Sequence, residues 1–208
     1  MSTTPSNASG RANRVAPDGS LHAAAARGTF WGNRGQLLNR SGSLARQWNG
    51  RLWIICQLEF NGRHRTQWQP GRLTELYFLD EPTALAAGHR PCGECRHADY
   101  VRFKEAWLRA HPASGTTAGD IDLLLHASRL DARSPRVYEA SRDELPDDVM
   151  VRYADHFWRL VGDRALRWTW SGYDEEMSRA ELPSVVTVQT PAATVAVLAA
   201  GYRPSTES

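Results

Sequence analysis

Cys92 and Cys95, separated by Gly93 and Glu94, are the residues whose types and spacing speak most directly of chemistry. Two thiolates on one tight turn can grip a single metal ion, and in a chain with three cysteines the pair reads as a metal or redox site rather than a structural disulfide. A tetrahedral zinc ion needs further nitrogen or sulfur donors, and the chain offers Cys56, His22, His64, His89 and His97. We take Cys92, Cys95, Cys56 and His64 as the expected ligands and Zn2+ as the expected cofactor. Cys56 stands on a predicted strand, where a buried thiol is either a ligand or an inert apolar side chain. His64 follows one turn later, within reach as a second ligand arm. His89 and His97 lie so near the pair that each is expected to be a hydrogen-bonding neighbour.

The residues before the pair predict what positions it. Asp80 is placed to cap a helix, Pro82 fits its first turn, and Gly88 can end it in a left-handed conformation. Thr83 to Cys95 therefore reads as an alanine-rich helix, a glycine stop, an Arg-Pro corner and the thiol pair. Upstream, Arg51 to Phe60 alternates, with Ile54, Cys56, Leu58 and Phe60 on one face, predicting a strand with that face buried. Asn61-Gly62 predicts a hairpin turn into Arg63 to Trp68, and Leu73 to Leu79 predicts a third strand of a small antiparallel sheet. Leu21 to Arg40 is punctuated by Gly28, Gly32 and Gly35 and reads as a packed loop.

Downstream, Tyr100, Phe103, Trp107 and Ala110 recur at helical spacing up to His111-Pro112. Asp120 is the expected cap of a helix buried through Ile121, Leu124, Leu125 and Ser128. Asp131 to Asp148 is polar and reads as a surface excursion. Strands are expected at Val149 to Tyr153, Phe157 to Val161, Leu166 to Trp170 and Val185 to Gln189, with a hairpin at Gly162-Asp163. The fold class is α+β: small antiparallel sheets with short helices around a Cys-x-x-Cys zinc knuckle. The expected division is a disordered lead-in over 1–20, a basic loop, sheet and knuckle lobe over 21–112, and a helix and β-rich lobe over 113–208, packed as one body.

Thr190 to Pro204 repeats the frame, ending LAAGYRP where the first copy has LAAGHRP, but without cysteines. One short match is weak support for a duplication that should span a whole supersecondary unit, so the same physical solution to stopping a helix is the preferred reading.

Leu76 to Arg96, LYFLDEPTALAAGHRPCGECR, resembles the second half of the zinc module of the Ada family of DNA-alkylation-repair proteins. That resemblance implies Cys92 and Cys95 as zinc ligands, and DNA repair or modification as the setting. In that family a further cysteine pair lies upstream and one thiolate accepts a methyl group from a DNA phosphotriester. Here Cys56 is the only upstream cysteine, so a four-thiolate site is impossible. RGTFWGNRG followed by TELYFLDEPTALAAGHRPCGECR is also similar to a bacterial family of unassigned function.

Charge adds a partner. The formal net charge of +2 conceals +7 over 1–79, with 10 Arg against 3 acids, and −5 over 80–208, with 15 basic against 20 acidic residues. A basic face attracts polyanions, and Arg27, Arg34, Arg40, Arg63 and Arg65 are the expected nucleic-acid contacts. All but one of the 25 basic residues are arginine, which a GC-rich genome would also produce. No P-loop pattern is present. No apolar run suits a membrane span or a secretory signal, so the expected location is cytoplasmic, with cysteines as thiols. A zinc deaminase would need His-x-Glu, and the nearest match, His126-Ala127-Ser128, lacks the carboxylate that shuttles protons. The expected function is a zinc-binding, nucleic-acid-binding protein. The alternatives are a metalloenzyme acting on a small molecule or nucleobase, and an adaptor with structural zinc.

Overall fold

The computed structural model describes residues 10–62, 67–132 and 134–205. The first half builds a sheet around one short helix. Its strands are β1 (Arg14–Val15), β2 (Leu21–His22), β3 (Phe30–Asn33), β4 (Ile54–Gln57) and β5 (Leu76–Phe78), followed by helix α1 (Glu81–Ala86) and strand β6 (Arg90–Pro91). The spatial order is β2-β1-β5-β3-β4-β6. Most pairings are antiparallel, but β1 runs parallel to β5 and β4 parallel to β6.

Helices α2 (His97–Ala110) and α3 (Ala118–Arg129) come next, then a ribbon of β7 (Leu130–Asp131) and β8 (Ser134–Pro135). The second sheet uses β9 (Tyr138–Ser141), β10 (Met150–Tyr153), β11 (His156–Val161), β12 (Arg164–Thr169), β13 (Gly172–Ser178) and β14 (Val185–Val188), and α4 (Ala192–Ala199) follows it. Its order is β13-β12-β11-β10-β14-β9, antiparallel throughout. The fold is α+β. One buried apolar cluster runs from Val15 and Phe30 through Leu85 and Trp107 to Val151, Leu160 and Tyr202.

The structure changes several expectations, each for a physical reason. Arg14 and Val15, inside the expected lead-in, form a strand between β2 and β5. The loop expected over Leu21 to Arg40 contains β2 and the central strand β3. Its glycines are there for close approach: a Cβ on Gly32 would lie 2.0 Å from the Ile54 carbonyl oxygen, and one on Gly28 2.3 Å from that of Phe78. Around β4 both faces are partly buried: Cys56, on the expected face, is buried, but so are Trp53 and Ile55 opposite it, while Leu58 is 46% exposed. Most of the strand expected after Asn61-Gly62, Arg63 to Trp68, lies outside the described residues. Both Asn61 and Gly62 do have positive φ, 51° and 63°, as such a turn needs.

Thr117, rather than Asp120, caps α3: its hydroxyl accepts from the Asp120 N–H, and the Asp120 carboxylate accepts from the Thr117 N–H. The buried face of α3 is Ile121, Asp122, Leu125 and Arg129, with Leu124 turned outward. The expected excursion over Asp131 to Asp148 carries β7, β8 and β9, and β13 was not expected at all. β9 and β13 are the two outer strands of their sheet. On β13 the charges are set against β12: Arg167 pairs with Asp174 and Glu175, and Arg164 with Glu176.

The helix frame before the cysteines matches expectation. Asp80 accepts from the Thr83 N–H at 2.9 Å, Pro82 lies in the first turn, and Gly88 has φ 83°. Every residue of α1 is buried, including Glu81 and Thr83.

Candidate metal centre

Three neighbouring segments bring the thiols together. β4 and β6 pair in parallel with Ile54 opposite Arg90 and Ile55 opposite Pro91, and the Cys92 N–H donates to the Ile55 carbonyl at 2.9 Å. That register sets Cys56 beside Cys92. The turn after Cys92 then closes, with Arg96 N–H donating to the Cys92 carbonyl at 3.2 Å, and returns Cys95 to the same place. The three Sγ atoms all lie within 4.8 Å of one another. Three thiolates about 2.3 Å from one zinc in a tetrahedron would stand about 3.8 Å apart, so small side-chain adjustments suffice. The donor set fits the ion.

Main-chain N–H groups also point at the sulfurs. Glu94 N–H donates to Cys92 Sγ at 3.4 Å, Cys95 N–H does the same, and Gln57 N–H donates to Cys95. Such donors favour thiolates over thiols. Hydrogen bonds from Cys56 and then Cys95 push Cys92 down to about 2. Cys56 is pushed up, first by donating to Cys92 and Cys95 and then by burial. For Cys95 the hydrogen bond from Cys56 lowers the value, but Cys92 and burial outweigh it and the net shift is upward. A cation among the sulfurs would favour the thiolate form of all three.

Two buried ion pairs hold the turn. Arg90, just before the cysteines, makes a bidentate pair with Asp122 of α3 at 2.7 and 2.8 Å. Arg96, just after them, donates to Glu81 of α1 at 2.6 Å and lies over the Phe30 ring at 4.5 Å. Glu81 is satisfied further by the Tyr202 hydroxyl at 2.6 Å and the Ser205 N–H at 2.8 Å.

The expected site residues fall into distinct places. Cys56, Cys92 and Cys95 converge; His64, like Arg63 and Arg65, lies outside the described residues. His97 is exposed, its Nδ1 within 3.0 Å of the Gly93 carbonyl oxygen. His89 was expected to hydrogen-bond near the site, but it is fully buried, packed on Phe78 and Trp53 at 4.7 and 5.2 Å. Neither of its ring nitrogens has a partner among the described residues. Burial first, then the charges of Arg34 and Arg129, holds His89 well below the usual histidine range.

Arg27 and Arg40 are exposed as a surface contact requires. Arg34 is not with them: it is 2% exposed, donates to the Gly19 carbonyl at 2.6 Å and lies over Trp53 at 4.8 Å. Arg129 was overlooked, yet it is 3% exposed and lies over the same ring at 4.3 Å. Its signal was its position four residues after Leu125, on the buried stripe of α3.

Comparison with protein-family models, curated proteins and solved structures found no match.

Proposed function

We propose that this chain is a zinc-binding protein in which Cys56, Cys92 and Cys95 hold Zn2+ and join β4 to the corner between β6 and α2. The observation that carries the reading is the convergence of three sulfurs onto one point served by main-chain N–H donors. Soft thiolates select zinc over the hard oxygen-seeking cations. No other His, Cys, Asp or Glu among the described residues joins the cluster, and His64 is the fourth donor that the sequence nominates. Zinc at this point would act first as a fold clamp, because the ligands come from segments far apart in the chain.

Nucleic acid is the partner we propose, in DNA repair or modification. The +7 charge over 1–79, the exposed Arg27 and Arg40, and the resemblance of Leu76 to Arg96 to the Ada module support it. Metal content and binding test the two parts separately. One zinc per chain, lost in Cys92→Ser and weakened in His64→Ala, is expected; unchanged zinc in both would overturn the ligand set. Full zinc in His64→Ala alone would give the fourth position to water or substrate, the arrangement of a catalytic site. Binding to DNA or RNA should fall steeply with salt and in Arg27→Ala and Arg40→Ala. Binding indifferent to salt and to both substitutions would remove the partner.

A further inference from the structure

Arg34 and Arg129 line a cavity of about 250 Å³ whose wall also includes Arg136, Trp48 and Trp53. Both guanidiniums are buried, and neither is paired with a carboxylate among the described residues. Arg34 gives an N–H to the Gly19 carbonyl; Arg129 gives N–H groups to the carbonyls of Leu125 and Arg51. Arg34 Nε and Arg129 Nη2 have no hydrogen-bond partner among the described residues. Leaving charged donors unmet inside a protein is costly, and native folds rarely do so without a ligand, ion or water to meet them.

The nearby acids are engaged elsewhere. Asp18, also in the wall, accepts the Ser20 N–H and hydroxyl at 2.9 and 2.5 Å, and Asp122 is held bidentately by Arg90. Arg34, Arg129 and Arg136 against Asp18 leave an excess of positive charge. Burial pushes both Arg34 and Arg129 down to about 9, so their charges are held at a cost that a counter-ion would relieve. Trp48 is half-buried, its ring 6.2 Å from that of Trp53 and tilted 47°.

We propose that this cavity binds a phosphate carried on a nucleoside, with Arg34 and Arg129 taking the phosphate oxygens and Trp48 stacking on the base. Guanidinium forks match phosphate geometry, and aromatic faces accept any base. The proposal needs neither the thiols nor the exposed Arg27 and Arg40. The phosphate could belong to a free mononucleotide or to the end of a strand, and the chemistry is shared.

Calorimetric titration of the full chain at low ionic strength separates these cases. The probes are a nucleoside 5′-monophosphate, the unphosphorylated nucleoside, and a 5′-phosphorylated single-stranded oligonucleotide. One mononucleotide per chain is expected, with the nucleoside at least tenfold weaker. Arg129→Gln and Arg34→Gln should lose roughly 30-fold or more, as for a charged hydrogen bond, and Trp48→Ala about tenfold, as for one lost stack. Trp48 and Arg136 stand at the rim, so Trp48→Ala and Arg136→Gln remain informative if the buried variants fail to fold. Binding of the oligonucleotide alone, with the same Trp48 and arginine dependence, would support the pocket and assign its phosphate to a strand. No saturable binding by either phosphorylated probe would overturn the proposal. So would equal binding of the bare nucleoside, or unchanged affinity in both rim variants.

Discussion

Arg96 and Glu81 show what a single residue does for the cysteine turn. Both side chains are almost wholly buried, at 1% and 0% exposure, and Arg96 is the charge that balances Glu81, with Asp99 as its own second partner. Replacing Arg96 with Met should cost about 3–5 kcal/mol, since Glu81 is left as an uncompensated buried charge. The double variant Arg96→Met, Glu81→Gln should be more stable than the single one, which urea unfolding of all three proteins would show. His89 supplies a pH dependence. Its folded value lies well below the unfolded value near 6.5, so the unfolded state takes up the proton first as pH falls. Stability should therefore drop below about pH 6.5, with a slope approaching 1.4 kcal/mol per pH unit, and His89→Phe should lose that part of the slope. The thiols were legible because zinc chemistry is written in residue type and spacing. Arg34 was misplaced because an arginine among glycines looks solvated in a sequence, whereas here it packs on Trp53 in the interior.

The helix stop is the element that the chain uses twice. After α1, Gly88 N–H donates to Leu85 and His89 N–H to Ala84; after α4, Gly201 N–H donates to Leu198 and Tyr202 N–H to Val197. The bonds are the same because the left-handed glycine and the buried ring that follows solve the same problem, that of satisfying the last carbonyls while turning inward. The corners differ in surroundings. A Cβ on Gly88 would meet Arg129 Cδ at 3.1 Å, whereas one on Gly201 would meet nothing within 4 Å, and φ is 83° and 98° respectively. Gly88→Ala should cost about 2 kcal/mol and Gly201→Ala about 1 kcal/mol, measured by thermal or urea unfolding. Equal costs would mean that backbone strain alone matters. Such stops, like the cap at Asp80, are local and were readable in advance. β3 was not, because its Gly32 serves contacts with Ile54 and Phe78 that only the folded chain creates. β13 was hidden for the opposite reason: an outer strand needs little apolar surface, and its acids look like a loop until β12 supplies their arginines.

At the scale of the molecule, α1 follows directly on β5 of the first sheet and is tied by side chains to the second. Asp80 accepts from the Tyr173 hydroxyl at 2.6 Å, and Trp168 Nε1 donates to the Thr83 hydroxyl at 3.0 Å. With one apolar cluster shared by both halves of the chain, unfolding should be a single transition, coincident by circular dichroism and by tryptophan fluorescence. Thr83→Val strips the acceptor from a buried indole and should cost about 1–3 kcal/mol without splitting that transition. No helix among the described residues is long and apolar enough to cross a membrane. The three thiols of the proposed metal site are attached to this shared core, Cys56 through β4 and the other two through the turn between β6 and α2. Loss of the ion should therefore lower global stability rather than release one loop. The most direct measurement is the absorption spectrum of the Co2+-substituted protein against Cys56→Ser, Cys92→Ser and Cys95→Ser. One ion per chain is predicted, with thiolate-to-cobalt bands and tetrahedral d–d absorption that weaken in each variant; a protein that binds no ion, or whose spectrum ignores all three substitutions, would contradict the metal centre.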